Sequence, residues 1–250
     1  MNRACLLFAF VLFSFSNLWA EERPSVDNRK QNVFGTYIFD YLWFLNGENG
    51  ETTATVYWRN PPSSPNRLRE YSVVFDRKNR IEQIGYYMDG TPSFLERYTY
   101  DNKSITMKGI YANEEEKTST YNLMSSGGFY AKTEEPSGTT TGELIIFIQH
   151  VFIWMRTSPT TGEYLSRGDL LTVSDEFLPI SRTVETGDNS LNHKFNWMWE
   201  DGFLREIVDK SGNSINSRMV FSYDNHGRIA VIQFFDHNDI FYGLEEIEYQ

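Results

Sequence analysis

The sequence predicts an all-β protein built as an antiparallel meander of short hairpins. Aromatic residues make up 16% of the chain and are spread along it, which suits the half-buried surface of a pleated sheet. Short segments alternate apolar and polar residues, and clusters rich in Asp, Asn, Gly and Pro separate them. No long segment has apolar residues at the 3.6-residue spacing of a capped helix. We expect these strands to form an open curved sheet or an incomplete barrel.

Individual hairpins can be assigned from the turn residues between apolar segments. The predicted strand pairs are residues 71–75 with 80–87, 94–100 with 104–111, and 218–223 with 228–235. Turns of two to four residues connect antiparallel neighbours, because a parallel return needs a long crossover. The order of segments therefore predicts a meander.

The first 20 residues have the layout of a secretory signal peptide. Arg3 gives a positive start, residues 4–16 are mostly apolar, and Ala20 is a small residue before a predicted cleavage site. The apolar segment is shorter than the roughly 20 residues that a membrane-spanning helix needs. We expect residues 1–20 to be removed and residues 21–250 to form a single antiparallel β domain.

Removal of the signal has two chemical consequences. Cys5 is the only cysteine, so the mature chain is expected to contain no disulfide, thiolate metal site or cysteine nucleophile. The formal net charge of −11 becomes −12, because 22 basic residues then face 34 acidic ones. A strongly acidic chain argues against nucleic acid as a partner, because phosphates favour a basic surface.

One short pattern recurs at the predicted turns. Residues 75–81 and 223–229 each read as an aromatic residue, Asp, three turn residues, Arg and Ile. Residues 100–105 are a shortened copy. The Asp side chain can accept turn N–H groups, and Gly or Asn tolerates positive φ. This makes Asp76, Asp101, Asp224 and Gly227 the candidate structural turn residues.

The recurring pattern resembles the YD repeat of bacterial cell-surface and Rhs-type shell proteins. That repeat reads Tyr-Asp, two residues, Gly, Arg and an aliphatic residue, and only residues 223–229 match it in full. The resemblance implies a β-hairpin protein of the bacterial surface. The alternative explanation is that these turn residues recur because they favour hairpins, and that they arose independently of YD-repeat proteins.

No motif in the sequence predicts a reaction. His150, His193, His226 and His237 lack the mutual spacing of a helical zinc site. Phosphate loops, dinucleotide fingerprints and serine-nucleophile elbows are missing from the sequence. We therefore assign no catalytic, cofactor-binding or metal-binding residue and expect no cofactor.

Two segments have an unusual apolar or aromatic pattern. Residues 144–155 are apolar apart from Gln149 and His150, which favours one long strand buried on both faces over a strand that contacts a membrane or a ligand. Phe195, Trp197 and Trp199 alternate, so they share one face of a strand. Their rings are either core residues or a face that stacks on a ligand such as a sugar.

Three functional hypotheses follow. The first is an exported, non-catalytic β-sheet protein of the bacterial envelope, periplasmic, cell-surface associated or secreted, that binds an unknown envelope protein or glycan or has a structural role. It would have no transmembrane helix in its mature form. The second is a glycan hydrolase that uses two carboxylates, and the third is a small outer-membrane β-barrel. The sequence ranks the barrel last, because charged residues occupy alternate positions of segments such as residues 80–83.

Overall fold

The structure is a computed structural model, and it describes residues 41–45, 52–101, 103–124, 128–157, 164–175, 178–184 and 193–250. The predicted signal peptide, residues 1–20, lies outside the described residues. A short 3-10 helix, Tyr41–Phe44, precedes the sheet. The strands are β1 Thr53–Arg59, β2 Leu68–Phe75, β3 Ile81–Met88, β4 Thr91–Tyr100, β5 Ser104–Tyr111, β6 Glu116–Leu123, β7 Phe129–Glu134, β8 Thr140–Ile148, β9 Val151–Thr157, β10 Tyr164–Val173, β11 Pro179–Val184, β12 His193–Glu200, β13 Phe203–Ser211, β14 Ser214–Tyr223, β15 Ile229–Asp236 and β16 Phe241–Tyr249.

The sheet is a closed barrel of 16 strands. Each strand pairs antiparallel with the next along the chain, and β1 pairs with β16, for example through Val56 and Ile247. The expected all-β, antiparallel meander is confirmed, but the expected open curved sheet or incomplete barrel is wrong. Closure satisfies the backbone N–H and C=O groups that two edge strands would leave unpaired. The turn residues indicate only how neighbouring strands pair, so they could not predict the pairing of β1 with β16.

The sequence predicted one long strand over residues 144–155, and this prediction is wrong. The segment forms the end of β8 and most of β9, joined by a two-residue turn at Gln149 and His150, with φ of 46° and 65°. Positive φ at both central residues is the geometry of a tight hairpin. The segment is also not buried on both faces, because Ile148 is 44% exposed.

The inner face of the barrel carries an apolar core. Register places Ala54 beside Val73, and Val73 beside Ile84, so buried side chains continue from strand to strand. Leu42 and Leu45, within and just after the 3-10 helix, belong to the same core cluster. The interior is therefore packed with side chains from the wall and from the segment that precedes β1.

The two ends of the barrel differ, and we call them the floor and the mouth. The floor carries the turns at Asp76, Asp101 and Asp224, which follow the even-numbered strands β2, β4 and β14. The mouth carries the turns that follow odd-numbered strands, among them β1–β2, β3–β4, β5–β6, β13–β14 and β15–β16. In a meander, alternate turns lie at the same end, so the recurring sequence pattern marks the floor.

Among the described residues, no helix has the length and apolarity to cross a membrane.

Candidate functional site

The turns at Asp76 and Asp224 have the same hydrogen bonds. Asp76 Oδ1 accepts the backbone N–H groups of Lys78 and Arg80 at 2.8 and 2.9 Å. Asp224 Oδ1 accepts those of His226 and Arg228, both at 2.9 Å. In each turn the other carboxylate oxygen, Oδ2, accepts a hydrogen bond from the Nε–H group of the Arg at 2.8 Å. One carboxylate thus fixes both the turn and the Arg that follows it.

The remaining turn candidates differ in detail. Gly227 has a φ of 76°, a conformation that glycine adopts without strain. The backbone N–H of Asp101 donates to the Ser104 carbonyl at 2.9 Å, which closes a shorter turn. The turn at Asp236 lies at the mouth, where the sequence predicts a turn, but Asp236 was not among the candidate structural turn residues. Its carboxylate accepts the N–H groups of Asn238 and Ile240, both at 2.9 Å, and Ile stands where the other turns have Arg.

The turn arginines, each just before a strand, pack on tyrosines of the next strand along the chain. The guanidinium of Arg80 lies 4.3 Å from the ring centre of Tyr100, and that of Arg228 lies 4.3 Å from the ring centre of Tyr249. Both tyrosine hydroxyls donate to backbone carbonyls next to these arginines, Tyr100 to Ile81 and Tyr249 to Ile229. A repeated Asp–Arg–Tyr clasp therefore ties the floor turns that follow β2 and β14 to the neighbouring strands, which gives these turns a structural role.

The structure places the candidate aromatic face, Phe195, Trp197 and Trp199, on the inner side of β12. Trp197 is 5% exposed and belongs to the core cluster, and the other two rings pack against that cluster. Trp199 Nε1 donates to the Pro179 carbonyl at 2.7 Å, and Phe44 packs edge-on against it. These contacts are core packing, and contact with a ligand stays a prediction for this face.

Aromatic rings line the inner wall near the mouth. Tyr71, Tyr86, Phe94 and Tyr111 form a row on β2 to β5, with successive ring centres 5.6, 5.6 and 4.7 Å apart. All four side chains keep some exposure. Because they face the interior, solvent reaches them through the mouth.

Two glycines make room for rings in this wall. A Cβ atom at Gly243 would lie 2.3 Å from Trp58 Cη2, and one at Gly109 would lie 2.5 Å from Phe94 Cζ. Each ring therefore lies against the bare backbone of a nearby strand. Trp58 also packs edge-on against Phe234, at 5.1 Å. The glycines allow the rings to lie flat along the wall.

Carboxyl groups lie among these rings. Glu245 is 3% exposed and pairs directly with Trp58 across β1 and β16. Glu70 is the extra residue of the bulge where β2 changes register against β1. Burial raises the pKa of the Glu70 carboxyl, while hydrogen bonds with Tyr71 and Glu245 act the other way. Glu70 Oε2 is shielded from solvent and has no hydrogen-bond partner among the described residues.

A third carboxyl, that of Glu96, is held by two tyrosines. The hydroxyls of Tyr86 and Tyr98 donate to Glu96 Oε2 at 2.9 and 2.5 Å. Burial raises the pKa of Glu96, although these two hydroxyls and the charge of Lys117 lower it in part. Lys117 itself pairs with Glu135 at 3.3 Å.

The wall formed by β10 to β14 carries polar clusters of a different kind. Arg182 forms an ion pair with Asp169, and both side chains are largely buried. On β12 and β13, His193 Nδ1 lies 3.1 Å from Asp209 Oδ1. Asn216 donates to Asp209 at 3.2 Å. These charges are satisfied within the wall, so this side offers fewer open polar groups than the Glu70 side.

Sequence reasoning missed the mouth residues. Glu70, Glu96 and Glu245 lie on three strands, and no spacing in the chain connects them. Gly109 and Gly243, at apolar positions within strands, are the one signal that could have been used, because a glycine inside a strand indicates close approach of another group. Among the described residues, no group of three or more His, Cys, Asp or Glu could hold a metal ion.

No family model matches this sequence. No curated protein matches it either. Among solved structures, a porin-like protein from Bacteroides uniformis ATCC 8492 is similar, with a TM-score of 0.44 and 8% sequence identity over 80% of this chain and 98% of that chain.

Proposed function

We propose that the protein is an exported, non-catalytic β-barrel of the bacterial envelope whose mouth binds a ligand. The observation that carries this proposal is the contrast between the two ends. Asp–Arg–Tyr clasps tie together the floor turns that follow β2 and β14, whereas inward-facing rings and carboxyl groups are gathered at the mouth. Concave, mostly apolar recesses with a few polar groups are typical of ligand sites. The signal peptide predicted from residues 1–20 supports export.

The carboxyl groups at the mouth do not support the glycan hydrolase. Hydrolysis needs two carboxyls about 5 to 10 Å apart, with the scissile bond between them. Glu70 and Glu245 are hydrogen-bonded to each other, which leaves no space for that bond. Glu96 is held by two tyrosine hydroxyls. The mouth carboxyls therefore suit binding better than hydrolysis.

The outer-membrane barrel is the second candidate, and its closed architecture matches the fold better than an open sheet does. The distribution of charge over the inner and outer faces tests whether lipid surrounds the barrel. A membrane barrel has an uncharged outer band about 25 Å tall and a polar interior. Here the interior holds an apolar core together with buried polar groups such as Glu245 and the Arg182–Asp169 pair, while the outer face carries Arg97 and Lys108 on adjacent strands and the ion pairs Arg59–Glu246 and Arg218–Glu206. These charges argue against lipid around the whole circumference.

One part of the outer face is uncharged. The outward side chains of β8 and β9 are apolar over most of both strands: Leu144, Ile146, Ile148, Val151, Ile153 and Met155. We call these six residues the outer strip. The membrane hypothesis therefore predicts that lipid contacts the barrel at this strip, along one side only.

Binding at the mouth can be tested with N-phenylnaphthylamine, a neutral probe that fluoresces in apolar sites. The purified mature protein should enhance its fluorescence, and Trp58→Ala should reduce the enhancement. Ile153→Ser in the outer strip is the matched control and should have little effect. The reverse result, loss with Ile153→Ser and none with Trp58→Ala, would place the apolar site outside the barrel and reject the proposal.

Fractionation separates the two candidates. An envelope barrel with a charged outer face should be released without detergent, and a lipid-embedded one should need it. If Ile153→Ser releases a protein that is otherwise retained, contact is limited to the outer strip. Retention of both forms until detergent is added would favour the outer-membrane barrel.

A further inference from the structure

The rim of the mouth exposes large apolar side chains. Met88 is 71% exposed, Ile240 58%, Leu68 48% and Tyr242 39%, and all four lie at turns or strand ends of the mouth. Ile215 and Tyr111 are also exposed at this end. Scattered apolar side chains on a surface need no explanation, but a group at one opening indicates a contact surface. An apolar partner therefore meets an apolar rim before it enters the barrel.

Below the rim, the aromatic row and Trp58 continue this surface inwards. The rings of Tyr71, Tyr86 and Phe94 follow one another across three neighbouring strands. Phe234 and Tyr242 extend the aromatic wall on the other side of Trp58. Aromatic rings bind apolar groups, and their faces also attract cations.

The charge beneath the rings is mainly acidic. Glu70 on β2, Glu96 on β4 and Glu245 on β16 face the interior, and the described inner side chains of these strands include no Lys or Arg near the mouth. Of the nearby arginines, Arg67 pairs with Glu248 on the outer face, and Arg59 pairs with Glu246 through Nη2, while its buried Nε has no hydrogen-bond partner among the described residues. Lys117, two strands from Glu96, pairs with Glu135.

A second observation singles out Glu70. Its Oε2 atom is shielded from solvent and lacks a hydrogen-bond partner among the described residues. An unsatisfied buried carboxylate oxygen costs free energy, and a cationic donor that reaches it would remove that cost. The arrangement offers an acceptor for a charge that the protein does not itself supply.

We propose that the mouth binds an amphiphilic cation, an apolar or aromatic body that ends in an ammonium or guanidinium group. The rim and the rings hold the body, and the carboxyl groups of Glu70, Glu96 and Glu245 hold the charged end. This inference rests on the proposed ligand-binding role of the mouth and names the chemical class of the ligand. The opposite wall already pairs its own charges, Arg182 with Asp169 and His193 with Asp209, so it provides the neutral side of the site.

A headgroup series tests the class of ligand. Dodecyltrimethylammonium, dodecyl maltoside and dodecyl sulfate share one tail, and each would compete with N-phenylnaphthylamine below its micelle concentration. The ammonium compound should displace the probe at a concentration about tenfold lower than the maltoside, which corresponds to about 1.4 kcal/mol. The sulfate should be the weakest competitor. Circular dichroism at each concentration ensures that the barrel stays folded.

Variants assign the preference to the carboxyls. Glu70→Gln should bring the ammonium and maltoside values together while binding of the neutral probe is kept. Glu248→Gln, a carboxylate on the outer face, is the matched control and should leave the preference unchanged. If Glu70→Gln fails to fold, Glu96→Gln in the same mouth gives the same test.

The outcomes separate the two proposals. Equal displacement by all three headgroups, with probe binding still lost in Trp58→Ala, would reject the cationic ligand and leave the binding role of the mouth intact. Stronger displacement by the maltoside would point to a polyhydroxyl ligand and also reject the cation. Absence of probe binding would reject the binding role itself.

Discussion

At the scale of single residues, the carboxyl groups at the two ends of the barrel have opposite environments. At the floor, Asp76 and Asp224 each combine two backbone N–H bonds with an arginine partner. At the mouth, Glu70 is enclosed with an unpaired oxygen. The first arrangement stabilises a charged carboxylate, and the second disfavours it. The floor carboxyls are structural for that reason, whereas Glu70 at the mouth keeps one oxygen without a hydrogen-bond partner among the described residues.

Asp224→Ala should destabilise the protein more than Asp236→Ala. Both side chains accept two turn N–H groups, but only Asp224 also pairs with an arginine, Arg228, which is 9% exposed. Loss of Asp224 leaves that buried charge without its carboxylate, at a cost of about 2 kcal/mol. Denaturant midpoints give the comparison, and His226→Ala, an exposed neighbour, is the control that should change little. Equal losses for both Asp variants would show that the arginine adds nothing.

Stability should depend on pH in opposite directions for an enclosed carboxyl of the mouth, Glu70, and for a carboxyl that accepts turn N–H groups, Asp236. The folded pKa of Glu70 lies above its usual 4.5, mainly through burial. Its contribution to stability is therefore complete below 4.5 and is lost as the pH rises through the folded pKa. Glu70→Gln should gain stability relative to the wild type between pH 4 and pH 7, measured by urea unfolding.

The matching comparison at a turn is Asp236→Asn. Backbone N–H groups of Ile240 and Asn238 lower the pKa of Asp236 below its usual 3.8, against a smaller opposing effect of burial. That contribution is present above 3.8 and is lost as the pH falls through the folded pKa. Asp236→Asn should therefore be more destabilising at pH 7 than at pH 3. The same pH trend in both variants would contradict the assigned environments.

At the scale of strands, the mouth depends on glycines that lie under aromatic rings on nearby strands. Gly243 accommodates Trp58, and Gly109 accommodates Phe94. The strand alternation then puts these rings and the carboxyls on one face. Bulges such as the one at Glu70 change which side chains face inwards. The site thus follows from the pairing of strands as much as from the residues.

Gly243→Ala should disturb the mouth, because the new Cβ would lie 2.3 Å from Trp58 Cη2 and the ring would have to move. Overpacking of this kind costs about 1–3 kcal/mol. We expect a lower melting temperature and weaker N-phenylnaphthylamine fluorescence.

Gly85→Ala is the matched control for this prediction, since its Cβ would meet its nearest neighbour, Tyr87, at an ordinary 3.5 Å. It should be neutral or slightly stabilising, because alanine loses less chain entropy than glycine on folding. Similar effects of both variants would show that Trp58 does not rest on Gly243.

At the scale of the whole molecule, closure and the distribution of polarity define the protein. The β1–β16 seam joins the two ends of the sheet, and a single apolar core fills the interior. Charged pairs such as Arg59–Glu246 lie on the outside. The charged outer face is interrupted by the outer strip on β8 and β9, and the apolar core contains buried polar groups such as Glu245.

Hydrogen exchange should find no free edge in the sheet. Amides of β1 and β16 that donate across the seam, such as those of Thr55 and Glu248, should be as protected as those of the central strands. The turn at Asp89 and Gly90 at the mouth is the reference for fast exchange. Exchange in β1 or β16 as rapid as in that turn would mean that the barrel opens at the seam.

The sequence by itself determined the local structure of this protein. Alternating residues, aromatic content and Asp-led turns predicted antiparallel hairpins, because these signals depend on residues within a few positions of one another. The same signals identified Asp76, Asp101, Asp224 and Gly227 as turn residues. The relation to the YD repeat stays a prediction, since a shared turn geometry can arise without common descent.

Only the tertiary structure decided that the sheet closes and where a ligand could bind. The seam pairs residues almost 200 positions apart, such as Val56 with Ile247, and a local pattern carries no information about such a pair. The mouth likewise combines Glu70, Glu96 and Glu245 from three strands with rings that rest on glycines of nearby strands. Whether an inward side chain is buried or accessible depends on which strands surround it, and this is fixed only when the barrel is complete.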